Sequence, residues 1–190
     1  MLNKPLIQFK NNMQSARDLE TIYIALQHMT TKSIPKSEVL RAEFVALVSA
    51  LDTYIHDIVR ESLKYMYLNR ITNNYLTTFM QNHSISNIQL LEWKIIEIHG
   101  YKTYQAPKKI KEILAKIDVP FEWIDLIGFE EKLKLIVQRR NKIAHESDIN
   151  LINGLGEKWP ISLIDIKHTV VTIENIVEYI NHTIINKMKI

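Results

Sequence analysis

Between Ser37 and Leu68 the chain has no glycine and no proline, and its apolar residues return at steps of three and four. Phe44, Leu47, Val48, Leu51, Ile55, Ile58 and Val59 fall within a stripe roughly 100° wide on a helix turning about 100° per residue. This is the pattern of a long helix packed on one face, and the Asn-rich residues 69–74 end it. The whole chain is poor in breakers, with four glycines and five prolines in 190 residues. An average protein carries roughly 12% of the two together. That scarcity leaves little room for a many-turned β-sandwich or a Gly-rich phosphate loop.

A chain of 190 residues can bury a real core and is expected to form one helical domain over residues 1–190. Its 46% hydrophobic and 24% charged content is that of a globular chain rather than a disordered one. Cysteine is absent, which excludes a disulfide framework, a thiolate zinc site and a thiol nucleophile. A net charge of +3 is too small by itself to argue for a polyanionic partner. No apolar run approaches the roughly 18 residues of a membrane span, so no membrane partner is expected. Residues 1–12 lack the apolar stretch of a signal peptide, and the expected compartment is the cytoplasm.

Other helices follow from caps and periodicity. A first helix is expected from Asn12, an N-cap type residue, to Met29, with Ala16, Leu19, Ile22, Tyr23 and Leu26 facing inward. The Thr30–Ser33 stretch and Pro35 break it. Ser86 can cap a short helix through Ile98 that His99, Gly100 and Tyr101 close, and Pro107 suits the first turn of another through Ile117. Phe129 to about Ala144 forms the next, followed by a loop over 148–161. In the last helix Ser162 and Asp165 make a capping-box-like start. Leu163, Ile166, Val170, Ile173, Val177, Ile180 and Ile184 then alternate in steps of three and four. That heptad pattern fits either a core helix of an antiparallel bundle or a seam between two chains.

One segment departs from the bundle pattern. Measured from Phe129 on a helical wheel, Leu133 lies at about 40°, Ile136 at about −20°, Ile143 at about −40° and Ala144 at about 60°, while Arg140 falls at about 20°, in the centre of the apolar stripe. A lone guanidinium is almost never fully buried, because desolvating it costs several kcal/mol. Arg140 therefore snorkels past the core edge, pairs with a buried carboxylate, or points into a cleft that takes an anion. Arg139, at about −80° on the same wheel, is a flank residue. His145 and Asn141 share another face, at about 160° and about 120°. His145 also stands at the helix end, where the dipole favours the imidazolium. Arg140 and His145 diverge by about 140°, so they serve one site only if the helix end unwinds or a second subunit completes it.

The run Arg140-Asn141-Lys142-Ile143-Ala144-His145 resembles the R-N-x-x-x-H signature of HEPN domains of the RiboL-PSP-HEPN type. The helix containing Arg41 to Glu61 is similar to that family's long early helix, and residues 162–187 to its closing helix. By chance alone an Arg-x4-His spacing is expected roughly 0.2 times in this composition, and about 0.02 times with Asn after the Arg. The resemblance implies an all-α, up-and-down bundle with a long second helix and a long C-terminal helix, which dimerises to place two motifs around a shared cleft. It also implies a metal-independent endoribonuclease without cofactor, of toxin or phage-defence type, with RNA as substrate and an antitoxin or neighbouring defence protein as a further partner. In that scheme Arg140 holds the scissile phosphate, His145 is the general acid or base, and Asn141 orients the imidazole or the phosphate. The family also contains members that bind without cutting, so an RNA-binding or protein-interaction module is the alternative.

Around this motif further residues are candidates. Asp52, turned about 80° from Phe44 on the second helix, is the expected carboxylate partner of Arg140 or His145, ahead of His56 at about 120°. Arg139 and Lys142 beside the motif could contact RNA, as could Lys108 and Lys109 on an amphipathic segment near Tyr101 and Tyr104, whose rings could stack on bases. A solvated helix face is the plainer reading of both stretches. The remaining histidines show no metal spacing, and Trp93, Trp123 and Trp159 are expected to pack.

Overall fold

The computed structural model describes residues 2–28, 36–150, 152 and 157–188. They form an all-α bundle of α1 (Asn3–Gln27), α2 (Ser37–Leu68), α3 (Asn74–Asn82), α4 (Ile88–His99), α5 (Pro107–Lys116), α6 (Phe129–His145) and α7 (Leu163–Met188). A short 3-10 turn, Trp123–Asp125, leads into α6, and one antiparallel bridge, Ile149 to Lys158, lies in the α6–α7 connection.

α2 is the hub, packing against α1, α4, α5, α6 and α7. Its stripe of Leu40, Leu47, Val48, Leu51, Ile55 and Ile58 is wholly buried. The seam of α7 is also core: Ile166, Ile173, Val177, Ile180 and Ile184 have no exposed surface. The heptad pattern is thus satisfied inside the chain, and this seam is not available to bind another one. The reciprocal cap forms as expected, with Ser162 N–H donating to Asp165 Oδ2 at 2.8 Å and Asp165 N–H to Ser162 Oγ at 3.4 Å. No helix among the described residues is long and apolar enough to cross a membrane.

Three expectations about elements need correction. α1 starts at Asn3, not Asn12, because Pro5 is tolerated in a first turn and Phe9 and Met13 supply buried anchors. Its second half packs loosely, leaving Ile22 49% exposed instead of inward. Met29, Thr30–Ser33 and Pro35 lie outside the described residues. The cap of α4 is Asn87, whose Oδ1 accepts from Leu90 N–H at 2.9 Å, and Ser86 is one residue early.

The third correction is α3, which occupies a stretch read as a terminator and its sequel. Asn73 caps it, accepting from Leu76 N–H at 2.7 Å, and its amide donates to Lys116 O and Asp118 Oδ2. α2, α3 and α5 end on one device. Arg70, Ser84 and Asp118 take left-handed φ of 54°, 51° and 53°. The following residues, Ile71, Ile85 and Val119, return N–H bonds to Met66 O, Met80 O and Leu114 O. Glycine usually fills such a cap, and a glycine-poor chain uses other residues.

Where α1, α2 and α7 meet, Glu43 is fully buried, and among the described residues neither of its carboxylate oxygens has a hydrogen-bond partner. Burial pushes its carboxyl up to about 7, nearby Glu20 adds to the shift, and Arg17 opposes it. Arg17 is engaged with Glu174 at 2.6 Å.

Candidate active site on α6

α6 starts at Gly128, which takes a left-handed φ of 78° that a side chain would strain, and Glu130 and Glu131 favour the helix N-terminus. Leu133 and Val137 are its buried residues, while Ile136 and Ile143 are half-buried and Ala144 is exposed. The inward face is therefore turned toward Val137, and Arg140 stands at its edge. There its Nε is shielded from solvent without a hydrogen-bond partner among the described residues, and Nη1 donates to Asn141 Oδ1 at 3.2 Å. Arg140 forms no salt bridge among the described residues. Asn141 and His145 are exposed, and the His145 ring has no hydrogen-bond partner among the described residues. The motif thus combines a half-buried guanidinium with spare donors and an accessible imidazole at the helix end.

Arg139, one position earlier, is held quite differently. Its Nη2 donates to Asp148 Oδ2 at 2.8 Å, to Trp159 O at 3.2 Å and to Pro160 O at 3.1 Å. Arg41 of α2 meets the same groups, with Nε to Asp148 Oδ2 at 2.8 Å and Nη2 to Trp159 O at 2.6 Å. Glu38 flanks the cluster, accepting from Arg41 at 3.2 Å and from Lys158 at 2.8 Å. Asp148 has no exposed surface, and its Oδ1 has no partner among the described residues. Burial lowers the Arg139 pKa, Asp148 opposes that shift, and Arg41 adds to it.

The backbone around Asp148 is also constrained. Ser147 and Asp148 both adopt left-handed φ, 53° and 58°, a conformation that costs roughly 1–2 kcal/mol per non-glycine residue. Asp148 N–H returns to Lys142 O at 3.0 Å, and Trp159 N–H donates to Asp148 O at 2.9 Å.

The other candidates do not join the motif. Asp52 accepts from Tyr104 N–H at 2.5 Å, and His56 Nε2 lies 2.9 Å from Lys102 O, so both secure the α4–α5 connection instead of meeting Arg140 or His145. Tyr104 is buried and its hydroxyl meets His99 Nδ1 at 2.6 Å, while the Tyr75 hydroxyl meets Nε2 at 2.7 Å, so Tyr104 cannot stack on a base. Burial, with Lys102 and Lys116 nearby, lowers the His99 pKa to about 4. Tyr101 is fully accessible at 93% exposure. Lys108 and Lys109 are exposed but share Glu112, at 4.0 and 3.0 Å. Lys142 is exposed, with Nζ 5.8 Å from the Trp159 ring centre. Arg139, expected as an RNA contact, has its guanidinium committed to Asp148 and backbone carbonyls. Trp123 packs as expected, whereas Trp93 is 55% exposed beneath Lys94.

A groove of about 540 Å³ runs beside the motif helix between α6 and α7. Phe44, Phe129, Ile136 and Ile161 line it, and Lys132 and His168 add polar groups. Leu135 and Val171 also face it and remain 63% and 55% exposed. Sequence reasoning missed the Arg41–Asp148–Arg139 cluster. Its available signal was Arg41 flanking the apolar stripe of α2, because a buried arginine demands a carboxylate.

Comparison with curated proteins gives no match, and neither does comparison with solved structures. The sequence model of the RiboL-PSP-HEPN family matches residues 10–186 and so spans all seven helices, apart from the first turns of α1 and the end of α7. With the motif on α6 and an all-α fold around it, this chain belongs to the RiboL-PSP-HEPN family.

Proposed function

We propose that the chain is a metal-independent endoribonuclease that works as a homodimer, with residues 1–190 as one helical unit and no cofactor. The observation that carries this reading is the contrast within the motif helix: Arg139 is ion-paired with the buried Asp148, whereas Arg140 forms no salt bridge among the described residues and shares its helix with an exposed His145. A guanidinium with unused donors at a half-buried position suits a phosphate, whose oxygens it can meet in bidentate geometry.

In the reaction, the ribose 2′-OH gives its proton to a base and O2′ attacks the adjacent phosphorus. The P–O5′ bond breaks, O5′ takes a proton from an acid, and a 2′,3′-cyclic phosphate remains. His145 supplies one of these proton transfers, and Arg140 neutralises charge developing on the phosphoryl oxygens. Asn141 orients the phosphate or the imidazole. Lys142 tracks the RNA backbone, and Lys108 and Lys109 lie farther along the chain as weaker contacts. Because Arg140 and His145 diverge by about 140° on their helix, a second copy completes the site. The apolar α6–α7 groove, with exposed Leu135 and Val171, provides a face for it. A cytoplasmic toxin or phage-defence role, restrained by an antitoxin or a neighbouring defence protein, follows from family analogy.

Total RNA incubated with the protein in excess EDTA tests this reading, with His145→Ala and Arg140→Ala prepared identically. Cleavage by the wild type and its loss in both variants is expected. Equal background in all three overturns the nuclease and favours an inactive RNA-binding or protein-interaction module. Such a module could not use the α7 seam, which is buried.

A further inference from the structure

We propose that Asp148, held by Arg41 and Arg139, is the positioning residue of the motif: a clamp that fixes the end of α6 and with it the His145 imidazole. The inference rests on the nuclease reading for its catalytic consequence, but its structural part stands on observed contacts. His145 is the last residue of α6, and nothing among the described residues hydrogen-bonds its ring. Its place is therefore set by the backbone on either side.

On the upstream side the helix supplies that order. On the downstream side the chain turns through two consecutive left-handed residues, Ser147 and Asp148, neither of them glycine. Such a turn persists only when its surroundings over-determine it. Here the turn is determined by one carboxylate oxygen that takes a guanidinium from α2 and another from α6, both at 2.8 Å. The same two arginines hold Trp159 O, and Trp159 N–H returns to Asp148 O. The residue three positions after His145 is thus tied to the hub helix, to the motif helix and to the returning strand of the loop.

Arg41 and Arg139 are positioning residues in the same sense. They touch neither the exposed face of His145 nor the free donors of Arg140, and they act through Asp148. The arrangement leaves Arg140 as the arginine of the motif pair without a carboxylate partner among the described residues, because its neighbour's charge is paired with Asp148.

Two variants and two readouts test the clamp. Asp148→Asn keeps the size of the side chain and removes its charge. Arg139→Gln removes one of the two ties while Arg41 still pairs the buried carboxylate. Asp125→Asn, which disturbs a surface bond to Tyr179, serves as a control for the same chemical change elsewhere. The readouts are kcat and KM for RNA cleavage in EDTA, and the ring resonances of His145 at fixed pH. In both clamp variants kcat should fall on the order of ten- to a hundred-fold, with KM within about two-fold, as expected for a displaced catalytic group. The His145 resonances should shift or broaden while far-ultraviolet circular dichroism stays that of the wild type. The control should match the wild type in all three. Wild-type kcat and an unmoved His145 resonance in a folded clamp variant would overturn the proposal, as would a rise in KM alone. If Asp148→Asn does not fold, Arg139→Gln decides by the same criteria. If the wild type cuts no RNA, the nuclease reading fails by itself, and the clamp stands or falls on the His145 resonances.

Discussion

Two sides of α6 use the same chemistry to opposite ends. On one side, Arg139 and Arg41 share a buried carboxylate and the Trp159 carbonyl, and Arg139 also donates to Pro160 O. On the other, among the described residues, Arg140 hydrogen-bonds only Asn141 and the His145 ring at the helix end has no partner. The residues Arg139 and Arg140 are adjacent, so composition does not separate them; the step of about 100° between them does. It turns one guanidinium toward α2 and the post-helix turn, and the other toward the edge of the core. An arginine paired with a buried carboxylate contributes to the fold, and one without an ion pair at a half-buried position is a candidate for function.

The largest effect expected from this contrast is on stability. Arg41→Ala leaves Asp148 buried with one partner fewer and should cost roughly 3–5 kcal/mol, read as a fall in the denaturant midpoint at unchanged slope. A loss below about 1 kcal/mol, the range of surface pairs, would break the contrast by showing that the buried cluster is not a structural anchor. On the opposite side, Arg140→Ala should reduce cleavage by about a hundred-fold or more. Its denaturant midpoint should stay close to that of the wild type, because no ion pair is lost.

Glu43 offers a comparison of a different kind: a buried carboxyl that no hydrogen bond holds among the described residues. Its folded pKa of about 7 lies above the ordinary 4.5, so the folded state binds more protons. Its contribution is present in full below pH 4.5 and is lost as pH rises through 7, on the order of 2–3 kcal/mol. His99 has the opposite sign: its pKa falls from 6.5 to about 4, so its contribution is lost as pH drops through that interval. The two slopes oppose each other between pH 4.5 and 6.5. Glu43→Gln should therefore gain stability relative to the wild type at pH 8 and show a rising profile from pH 4 to 6.5, measured by denaturation across pH. Equal stability of the two proteins at pH 8 would contradict the account of Glu43. The smallest effect belongs to a cap: Asn73→Ala should cost about 1 kcal/mol, with amide exchange accelerating first in α3.

How much of this was legible in the sequence follows the range of the interactions. α2 was readable to its ends, Ser37 and Leu68, because a one-sided apolar stripe and its breaker lie in the same stretch. The Ser162–Asp165 cap of α7 was readable for the same reason. α3 was not, because its ends depend on Asn73 bonding to the end of α5 and on a non-glycine left-handed residue at Ser84. At the site, the wheel placed Arg140 within the apolar stripe, and the structure puts it at the edge of the inward face. The clamp was out of reach: Arg41 and Asp148 are separated by 107 positions, and tertiary packing alone brings them together. Asp52 shows the converse. Its place on the wheel suited a partner for the motif, but the wheel carries no information about the α4–α5 connection that claims it.

The central claim is that Arg140 and His145 cut RNA through the ribose 2′-OH. Its most direct test is a defined oligoribonucleotide containing the site cut in total RNA, offered to the wild type in EDTA with and without a single 2′-deoxy substitution at the scissile nucleotide. The account predicts cleavage of the all-ribose strand with a 2′,3′-cyclic phosphate end, no cleavage of the substituted strand at that position, and no cleavage of either by His145→Ala. Cleavage of the 2′-deoxy strand at the same position, or equal cleavage by His145→Ala, would contradict it.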